Sequence, residues 1–309
     1  MLAEQINRHI DDQTTFFSLE FAPPQVPKTS TLAKELAKFG RTLSKLKEAN
    51  PLYVDVTWFV RNDPGNLSIP NSSTSIAVLC QQNHGLETML HICCNGNKKK
   101  IQSSLKGDDP KRPITTLLPT AIMPKIWLSG PGSSVMSSSY TDHLMHLKNK
   151  VDAGADLVVT QFFFETNTFA KFLRDCKDIG VKVPILPGIL LYRSATSVIN
   201  ISKLSGVPIP ASAAKVLEAN RAYPQRVKAF ALYRAYQMCH EILSEGHSNG
   251  VHIFTMNQKK ETGMLLRRLG IWNRINVDVH RVLNRPTKNV QCIYYRKKKT
   301  LLRLDSHSG

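Results

Sequence analysis

Three observations on the sequence predict an α/β fold, namely a (β/α)₈ TIM barrel. Apolar runs typical of buried strands alternate along the chain with segments of helical apolar spacing, which indicates a parallel sheet. The run "LVVTQFFF" (157–164) is apolar along nearly all of its length, as expected of a strand covered on both faces. No GxGxxG motif follows the first run, "FFSLEF" (16–21), which argues against a dinucleotide-binding sheet.

The predicted strands follow one another at intervals that suit a barrel, except in the centre. In "LKGDDP", Lys106 follows His91 by only fifteen residues, whereas a βα repeat of such a barrel needs roughly thirty residues. The barrel is therefore predicted to be irregular or incomplete around its fourth βα unit. The predicted strands are 16–21, 52–59, 86–94, 125–130, 157–164, 184–191 and 251–257, with a weak eighth at 114–122.

Length and composition indicate a globular protein with a sizeable core. The chain has 309 residues, 42% of them hydrophobic, and no stretch approaches the roughly 18 consecutive apolar residues of a membrane span. The N-terminus "MLAEQINRHIDDQ" carries acids and lacks an apolar signal region. The six cysteines show neither a CxxC pair nor metal-ligand spacing. These features predict a cytoplasmic protein with reduced thiols, no bound metal and no membrane partner.

The net charge of +18 indicates either a negatively charged binding partner or a basic surface exposed to solvent. Residues 274–304 hold nine Lys or Arg and one acid, Asp278, so much of the charge lies in a C-terminal tail. Such a run is usually solvated, and no zinc-finger, helix-turn-helix or RNP motif supports nucleic-acid binding. An acidic small-molecule substrate suits the charge equally well.

Polar side chains stand at the ends of several predicted strands, where a parallel barrel carries its chemistry. For Thr57, His91 and Asn257, a local hydrogen bond inside the core is the preferred interpretation. Glu20 differs, because a carboxyl group flanked by large apolar residues is rarely buried without a purpose. Such surroundings disfavour the charged form, which suits a general acid near neutral pH. The remaining polar or ring side chains at these ends are Asp55, Trp58 and Gln161.

One polar pair, Thr160-Gln161, interrupts the apolar run at 157–164. A buried amide needs a hydrogen-bond partner or a ligand, so the pair marks either a structural contact or a binding site.

Six segments in order resemble the methylenetetrahydrofolate reductase family. They are "FFSLEFAPP", "PLYVDVTWFVRNDPG", "GLETMLHICC", "KVDAGADLVVTQFFFE", "VPILPGIL" and "GVHIFTMNQ", the last followed by "LLRRLGIWN". The resemblance covers residues 14–94 and 140–273. It implies a TIM barrel that holds FAD, accepts hydride from NADPH or NADH, and reduces 5,10-methylenetetrahydrofolate to 5-methyltetrahydrofolate.

The resemblance also implies roles for individual residues. Glu20 matches the general acid that protonates N10 of the folate. Gln161 matches an amide that contacts the folate, and Asp108 and Gln258 match further substrate positions, although the family has Arg where Gln258 stands. The positions matching cofactor contacts are Thr57, Trp58, His91, Lys106, Gly107, Asp108, His143 and Lys150.

Departures from the family pattern lie mainly at the positions that contact FAD in the family. Lys106 stands for a usual Arg, His143 for a usual Asp, and "GPGSSVMSSS" replaces a segment that normally contacts FAD. Two alternatives to an active reductase stay open: a catalytically impaired homologue that binds folate or a partner subunit without full FAD binding, and a truncated or wrongly assembled reductase gene.

The expected organisation is one barrel over residues 1–273 followed by a basic tail over 274–309, without the regulatory domain of eukaryotic members. The expected partners are a folate, which polyglutamylation would make acidic, and further copies of the same chain.

Overall fold

The computed structural model describes residues 2–58, 63–90 and 140–272. Within these ranges six strands form a single parallel sheet in the order β3-β2-β1-β6-β5-β4. Strands that follow one another in the chain, β1 to β3 and β4 to β6, therefore lie side by side in the sheet, and β1 pairs with β6. The strands are β1 (Phe16–Phe21), β2 (Tyr53–Val56), β3 (Thr88–Leu90), β4 (Val158–Phe162), β5 (Ile185–Leu190) and β6 (Gly250–Phe254).

The pairing of β1 with β6 is what curls the sheet toward a barrel. Ser18 lies opposite Tyr53 on one side and His252 on the other, so β1 is hydrogen-bonded along both edges. The predicted α/β fold with a parallel, barrel-like sheet is confirmed. The predicted strands at 114–122 and 125–130, the shortened central interval and the basic tail lie outside the described residues.

Helices alternate with the strands, and most of those described cover the outer face of the sheet. Their ends carry the expected signals: the Thr31 hydroxyl accepts from the Lys34 amide at the start of the helix Leu32–Lys47, and Gly206 ends the helix Ala195–Ser205 with a φ of 71°. The helices are α1 (Leu2–Asp11), α2 (Leu32–Lys47), α3 (Ser73–Val78) with a π-helical turn (Leu79–Asn83), α4 (Tyr140–Asp152), α5 (Thr166–Asp178), α6 (Ala195–Ser205), α7 (Ala211–Ala219), α8 (Pro224–Ser244) and α9 (Lys259–Arg268).

Side chains of successive strand residues alternate between two apolar layers. The outward-facing Leu19, Val54 and Ile253 are fully buried and belong to the main core, which the surrounding helices complete. The inward-facing Phe16 and Tyr53 belong to a separate cluster inside the curled sheet.

Helix α1 closes the inside of the sheet at the N-terminal ends of the strands. Its Leu2 and Ile6 are buried in the same interior cluster as Phe16 and Tyr53. Each such side chain stabilises the fold by about 1.5–3 kcal/mol when buried. Gly250 makes room for this packing, because a Cβ there would lie 2.4 Å from the Phe16 ring.

No helix in the ranges 2–58, 63–90 and 140–272 combines the length and the apolar character needed to cross a membrane.

Candidate functional site

A polar layer lies above the apolar interior, on the inner face of β1, β2 and β6. Ser18 and Glu20 are two residues apart on β1 and therefore share the inner face, whereas Phe17, Leu19 and Phe21 pack in the helix-covered core. Asp55 of β2 lies opposite Glu20, and His252 of β6 lies opposite Ser18. The alternation of side chains along three paired strands thus brings these four polar residues together.

Glu20, Asp55 and His252 form a compact cluster. One carboxylate oxygen of each acid and one ring nitrogen of the histidine all lie within 4.8 Å of one another. Asp55 is 2% exposed and His252 is 0% exposed, whereas Glu20 is only half-buried. Glu20 is therefore the member of the cluster that meets solvent or a ligand.

The His252 ring is fixed from three sides. Its Nδ1 lies 2.8 Å from the Ser18 hydroxyl oxygen. Its ring stacks on Tyr53 at 6.2 Å between centroids and an interplanar angle of 22°, and it meets the Phe254 ring edge-on at 4.9 Å. The imidazole consequently has one orientation relative to the two carboxylates.

Tyr53 keeps its proton beside this cluster. Burial raises the pKa of its hydroxyl well above the usual value, and the charges of Asp55 and Glu20 raise it further against the opposing effect of Ser18. The acid–base chemistry of this layer is thus left to the two carboxyl groups and the imidazole. The same three groups are ligand types for a divalent cation, so a metal ion could be held here.

Thr57 and Trp58 follow β2 at the rim. The Thr57 amide donates to the Phe21 carbonyl at 3.0 Å, and its hydroxyl contacts the same oxygen at 3.3 Å. Ser73 donates to the Thr57 carbonyl at 2.8 Å. Thr57 thus continues the β1–β2 pairing by one step, as the local hydrogen-bond interpretation predicted, and the half-buried Trp58 is the first side chain beyond it.

The two polar residues of β4, Thr160 and Gln161, have different roles. Thr160 is fully buried, and its hydroxyl oxygen accepts from the Gly188 amide at 3.0 Å, where the register between β4 and β5 is irregular. Thr160 is therefore a structural contact. Gln161 is half-buried, and its Oε1 accepts from the Phe162 amide at 3.1 Å. Of the pair, Gln161 is the residue with side-chain surface left for a ligand.

The end of β6 turns sharply. Met256 and Asn257 both have left-handed backbone conformations, with φ of 49° and 55°. The next residue, Gln258, is 6% exposed, and its Nε2 donates to the Leu191 carbonyl at 2.8 Å. Its Oε1 is buried and has no hydrogen-bond partner among the described residues. Gln258 thus ties the end of β5 to β6 and could offer a substrate only its amide oxygen.

The two predicted cofactor contacts on α4 lie apart. His143 is half-buried in the first turn, whereas Lys150 is exposed in the last turn. Seven residues of helix separate them by about 10 Å along its axis. The structure does not bring them to one place. The other predicted contacts, His91, Lys106, Gly107 and Asp108, lie outside the described residues.

Two members of the polar cluster carried no signal for a site in the sequence. Ser18 and His252 sit within strand runs that read as core, and a lone histidine between apolar residues is usually a core side chain. Ser18 and Glu20 alternate with apolar residues along β1, and His252 does so along β6. This alternation, together with the pairing of the two strands, places the three side chains on one inner face.

A cleft of about 610 Å³ opens on the opposite side, at the N-terminal ends of the strands. Arg8, Asp12, Lys47 and Glu87 line it, so positive and negative side chains are mixed. Parallel barrels place their chemistry at the C-terminal ends of the strands, which favours the Glu20 cluster as the candidate site.

The sequence as a whole is similar to a known family. A sequence model of methylenetetrahydrofolate reductase matches residues 5–109 and 128–270, in agreement with the resemblance seen in the motifs. A Caenorhabditis elegans protein named probable methylenetetrahydrofolate reductase (NADPH) is 33% identical over 95% of this chain and 48% of its own length. Methylenetetrahydrofolate reductase (NADH) 1 of Arabidopsis thaliana is 29% identical over 87% of this chain and 51% of its own length. The chain spans about half the length of these relatives.

A shorter bacterial relative matches over most of its length. The 5,10-methylenetetrahydrofolate reductase of Escherichia coli is 26% identical over 82% of this chain and 90% of its own. A solved structure of an uncharacterized Clostridium thermocellum protein, described as binding two copies of 5-methyl-5,6,7,8-tetrahydrofolic acid, matches with a TM-score of 0.57 and 13% identity. It covers 85% of this chain and 97% of the other, so the two share their fold.

Proposed function

Because this chain belongs to the methylenetetrahydrofolate reductase family, we propose that it reduces 5,10-methylenetetrahydrofolate to 5-methyltetrahydrofolate with hydride that comes from NADPH or NADH. The observation that carries the proposal is the position of Glu20. Its carboxyl group stands near the C-terminal end of β1, half-exposed, on an inner face backed by the buried Asp55 and His252. This is where a barrel enzyme presents a proton to its substrate.

Glu20 would act as the general acid. Its O–H bond breaks as a proton passes to N10 of the folate, the five-membered ring opens, and the methylene carbon becomes an iminium at N5. That carbon then accepts hydride and becomes the methyl group. Protonation by a placed side chain typically accelerates such a step by about 10²–10⁴-fold.

Gln161 would orient the folate. Because its Oε1 is occupied by the Phe162 amide, its NH₂ group is the part that can donate to an acceptor of the substrate. Gln258 and Asp108 remain proposed substrate contacts.

The described residues fit a flavin in part. The aromatic Trp58 and the neighbouring Thr57 offer a surface for a planar ring at the rim, and Lys150 offers positive charge for a phosphate. FAD, when bound, would supply the hydride after reduction by the nicotinamide. We propose FAD and NADPH or NADH as cofactors; the protein's part is placement of the folate and control of one proton.

Three further expectations belong to the same proposal. The folate carries an acidic glutamate tail that suits the basic chain, the protein forms homo-oligomers, and it works in the cytoplasm. A barrel over residues 1–273 with a basic tail over 274–309 remains the proposed organisation.

The experiment that tests the function is Glu20→Gln, measured in separate half-reactions. Folate reduction should fall by at least about 100-fold, the lower bound of a general acid's contribution, while reduction of the flavin by NAD(P)H persists. Glu87→Gln, at the N-terminal side of the sheet, is the matched control and should leave both rates unchanged. Equal loss of both half-reactions in Glu20→Gln would contradict the proposed role. A wild-type protein that binds folate without reducing it would favour the impaired homologue.

A further inference from the structure

We propose that a cleft beside the carboxyl ends of β4 and β5 binds a free α-amino acid with an aromatic or large apolar side chain. The cleft has a volume of about 350 Å³ and is bounded by helices α7 and α8. Phe164 and Tyr192, each two residues beyond the end of its strand, line it together with Arg234 of α8. No residue of the Glu20 cluster lines it, so the two sites are separate. Pockets for small ligands begin at about 300 Å³, which leaves room here for one amino acid.

Arg234 supplies a positive charge to the cleft. Its Nη1 donates to Gln237 Oε1 at 3.1 Å, and its Nη2 donates to the Phe164 carbonyl at 3.0 Å. These two bonds fix the guanidinium group and leave its remaining N–H groups for a ligand. No carboxylate of the described residues forms an ion pair with Arg234. A guanidinium group held in this way is suited to bind a carboxylate.

The hydroxyl of Tyr192 is a second donor at the same place. Tyr192 is 4% exposed, yet its hydroxyl has no hydrogen-bond partner among the described residues. Burial raises the pKa of this hydroxyl well above its usual value, and the charge of Arg234 lowers it against that effect. The hydroxyl therefore keeps its proton near neutral pH and can donate to a carboxylate bound at Arg234. Since buried polar groups are normally hydrogen-bonded, a ligand accounts for this one.

Glu165 supplies a negative charge to the cleft. Arg234 bonds to the carbonyl of Phe164, the residue directly before Glu165, so the two charges lie within one residue's reach of each other. They nevertheless form no ion pair, and the Glu165 carboxylate has no partner among the described residues. An α-amino acid carries its ammonium and carboxylate groups on one carbon. Bound between Glu165 and Arg234, it would pair with both.

The apolar walls of the cleft determine which side chain fits. Phe164 and Phe230 present aromatic rings to it. A second cleft of about 180 Å³ shares Phe164, Glu165 and Pro210 with the first and is also lined by Val207. A side chain that extends from the charged groups is therefore met by rings and aliphatic surface. Aromatic and large apolar side chains gain most from such burial, whereas alanine would gain little.

Calorimetric titration of the full chain with matched probes is the first test. L-Phenylalanine should bind, whereas 3-phenylpropionate lacks the ammonium group and L-phenylalaninamide lacks the carboxylate. Each of these two should bind at least about tenfold more weakly, as expected when a hydrogen bond to a charged group is lost. Absence of L-phenylalanine binding at millimolar concentration would overturn the proposal. Equal affinity for either of the other probes would do the same.

The second test uses variants that remove groups without a partner among the described residues. Tyr192→Phe and Glu165→Gln should each weaken L-phenylalanine binding about tenfold and leave urea unfolding unchanged. In Glu165→Gln the preference for L-phenylalanine over 3-phenylpropionate should also shrink, whereas Tyr192→Phe should retain it. Tyr223→Phe and Glu218→Gln, exposed residues outside the lining, are the matched controls.

Wild-type affinity in both Tyr192→Phe and Glu165→Gln would overturn the proposal. A Tyr192→Phe protein that is less stable than the wild type would assign the hydroxyl to the fold and overturn its role as a ligand donor. Glu165→Gln, an exposed change, would still decide whether the ammonium group is bound. Neither test involves folate or flavin, so the results are independent of the proposed reductase activity.

Discussion

The side-chain amide of Asn257 makes two hydrogen bonds to the backbone of Ala22. Its Oδ1 accepts from the Ala22 amide at 3.1 Å, and its Nδ2 donates to the Ala22 carbonyl at 2.8 Å. The amide thereby continues the β1–β6 pairing beyond the ends of both strands. Asn257 can do this because its backbone is left-handed, with a φ of 55°, a conformation that asparagine tolerates better than most residues.

Asn257→Ala should therefore lower the free energy of unfolding by about 2–5 kcal/mol. Two hydrogen bonds at about 0.5–1.5 kcal/mol each are lost, and alanine in the left-handed region adds roughly 1–2 kcal/mol of strain. Asn257→Gly loses the same bonds without the strain and should be the milder change. Urea unfolding of the three proteins measures the difference. An alanine variant as stable as the glycine variant would show that backbone strain plays no part.

Thr160→Val should destabilise the protein without weakening folate binding. The change leaves the Gly188 amide buried without its acceptor, at a cost of about 1–3 kcal/mol. Thr160→Ser retains the hydroxyl and should lose much less. The readouts are urea unfolding and equilibrium folate binding.

The neighbouring Gln161 provides the opposite case. Gln161→Glu retains an oxygen for the Phe162 amide but loses the NH₂ donor, so folate affinity should fall about tenfold while stability changes little. Gln82→Glu, on the exposed π-helical turn, controls for the added charge. Equal folate affinities in Thr160→Val and Gln161→Glu would contradict this division of roles.

Two glycine-to-alanine changes should have opposite signs. In Gly188→Ala the new Cβ would lie 2.4 Å from the Thr160 carbonyl oxygen and 2.5 Å from the Phe254 ring, so backbone must move. Overpacking of this kind costs about 1–3 kcal/mol. Gly40→Ala, inside α2, meets nothing nearer than 3.8 Å and should stabilise by roughly 0.5–1 kcal/mol. Thermal unfolding measures both, and a stabilised Gly188→Ala protein would refute the close approach of β4 and β5.

His9 should make stability depend on pH. Burial lowers the pKa of its imidazole, and Arg8 lowers it further against the opposing charge of Asp12. Since the unfolded chain binds this proton more readily, the contribution of His9 is present above about pH 6.5 and is lost as the pH falls toward the lowered pKa of the folded state.

Glutamine does not titrate in this pH range, so His9→Gln lacks the stability change that protonation of His9 causes. The free energy of unfolding should therefore fall less on acidification in His9→Gln than in the wild type, as followed by denaturant unfolding across this range. His146→Gln, on the exposed face of α4, should follow the wild type. Parallel curves for His9→Gln and the wild type would contradict the expectation.

The strands could be predicted because apolar runs and their flanking turns are local signals. The run 16–21 coincides with β1, whereas 251–257 exceeds β6, since the left-handed Met256 and Asn257 end the strand early. The buried positions of α1 become meaningful only when the curled sheet presents an apolar interior for Leu2 and Ile6.

The candidate site was predictable only for residues that stand out within their own segment. Glu20 among phenylalanines is such a residue, and Gln161 is another. Ser18 and His252 acquire significance from register, since 234 residues separate them in the chain. No local pattern contains that information. The difference in role between the structural Thr160 and the ligand-facing candidate Gln161 likewise depends on the irregular pairing of β4 with β5.

The pairing of β1 with β6 also bears on synthesis. One edge of β1 cannot be paired until residues beyond 250 have left the ribosome, although β1 itself emerges among the first. At about 5–20 residues per second, the interval is roughly 10–50 s. During that time an apolar strand with unsatisfied backbone groups is open to association with other nascent chains. The abundance of this protein in a cell should therefore depend on chaperones that cover its N-terminal third while translation continues.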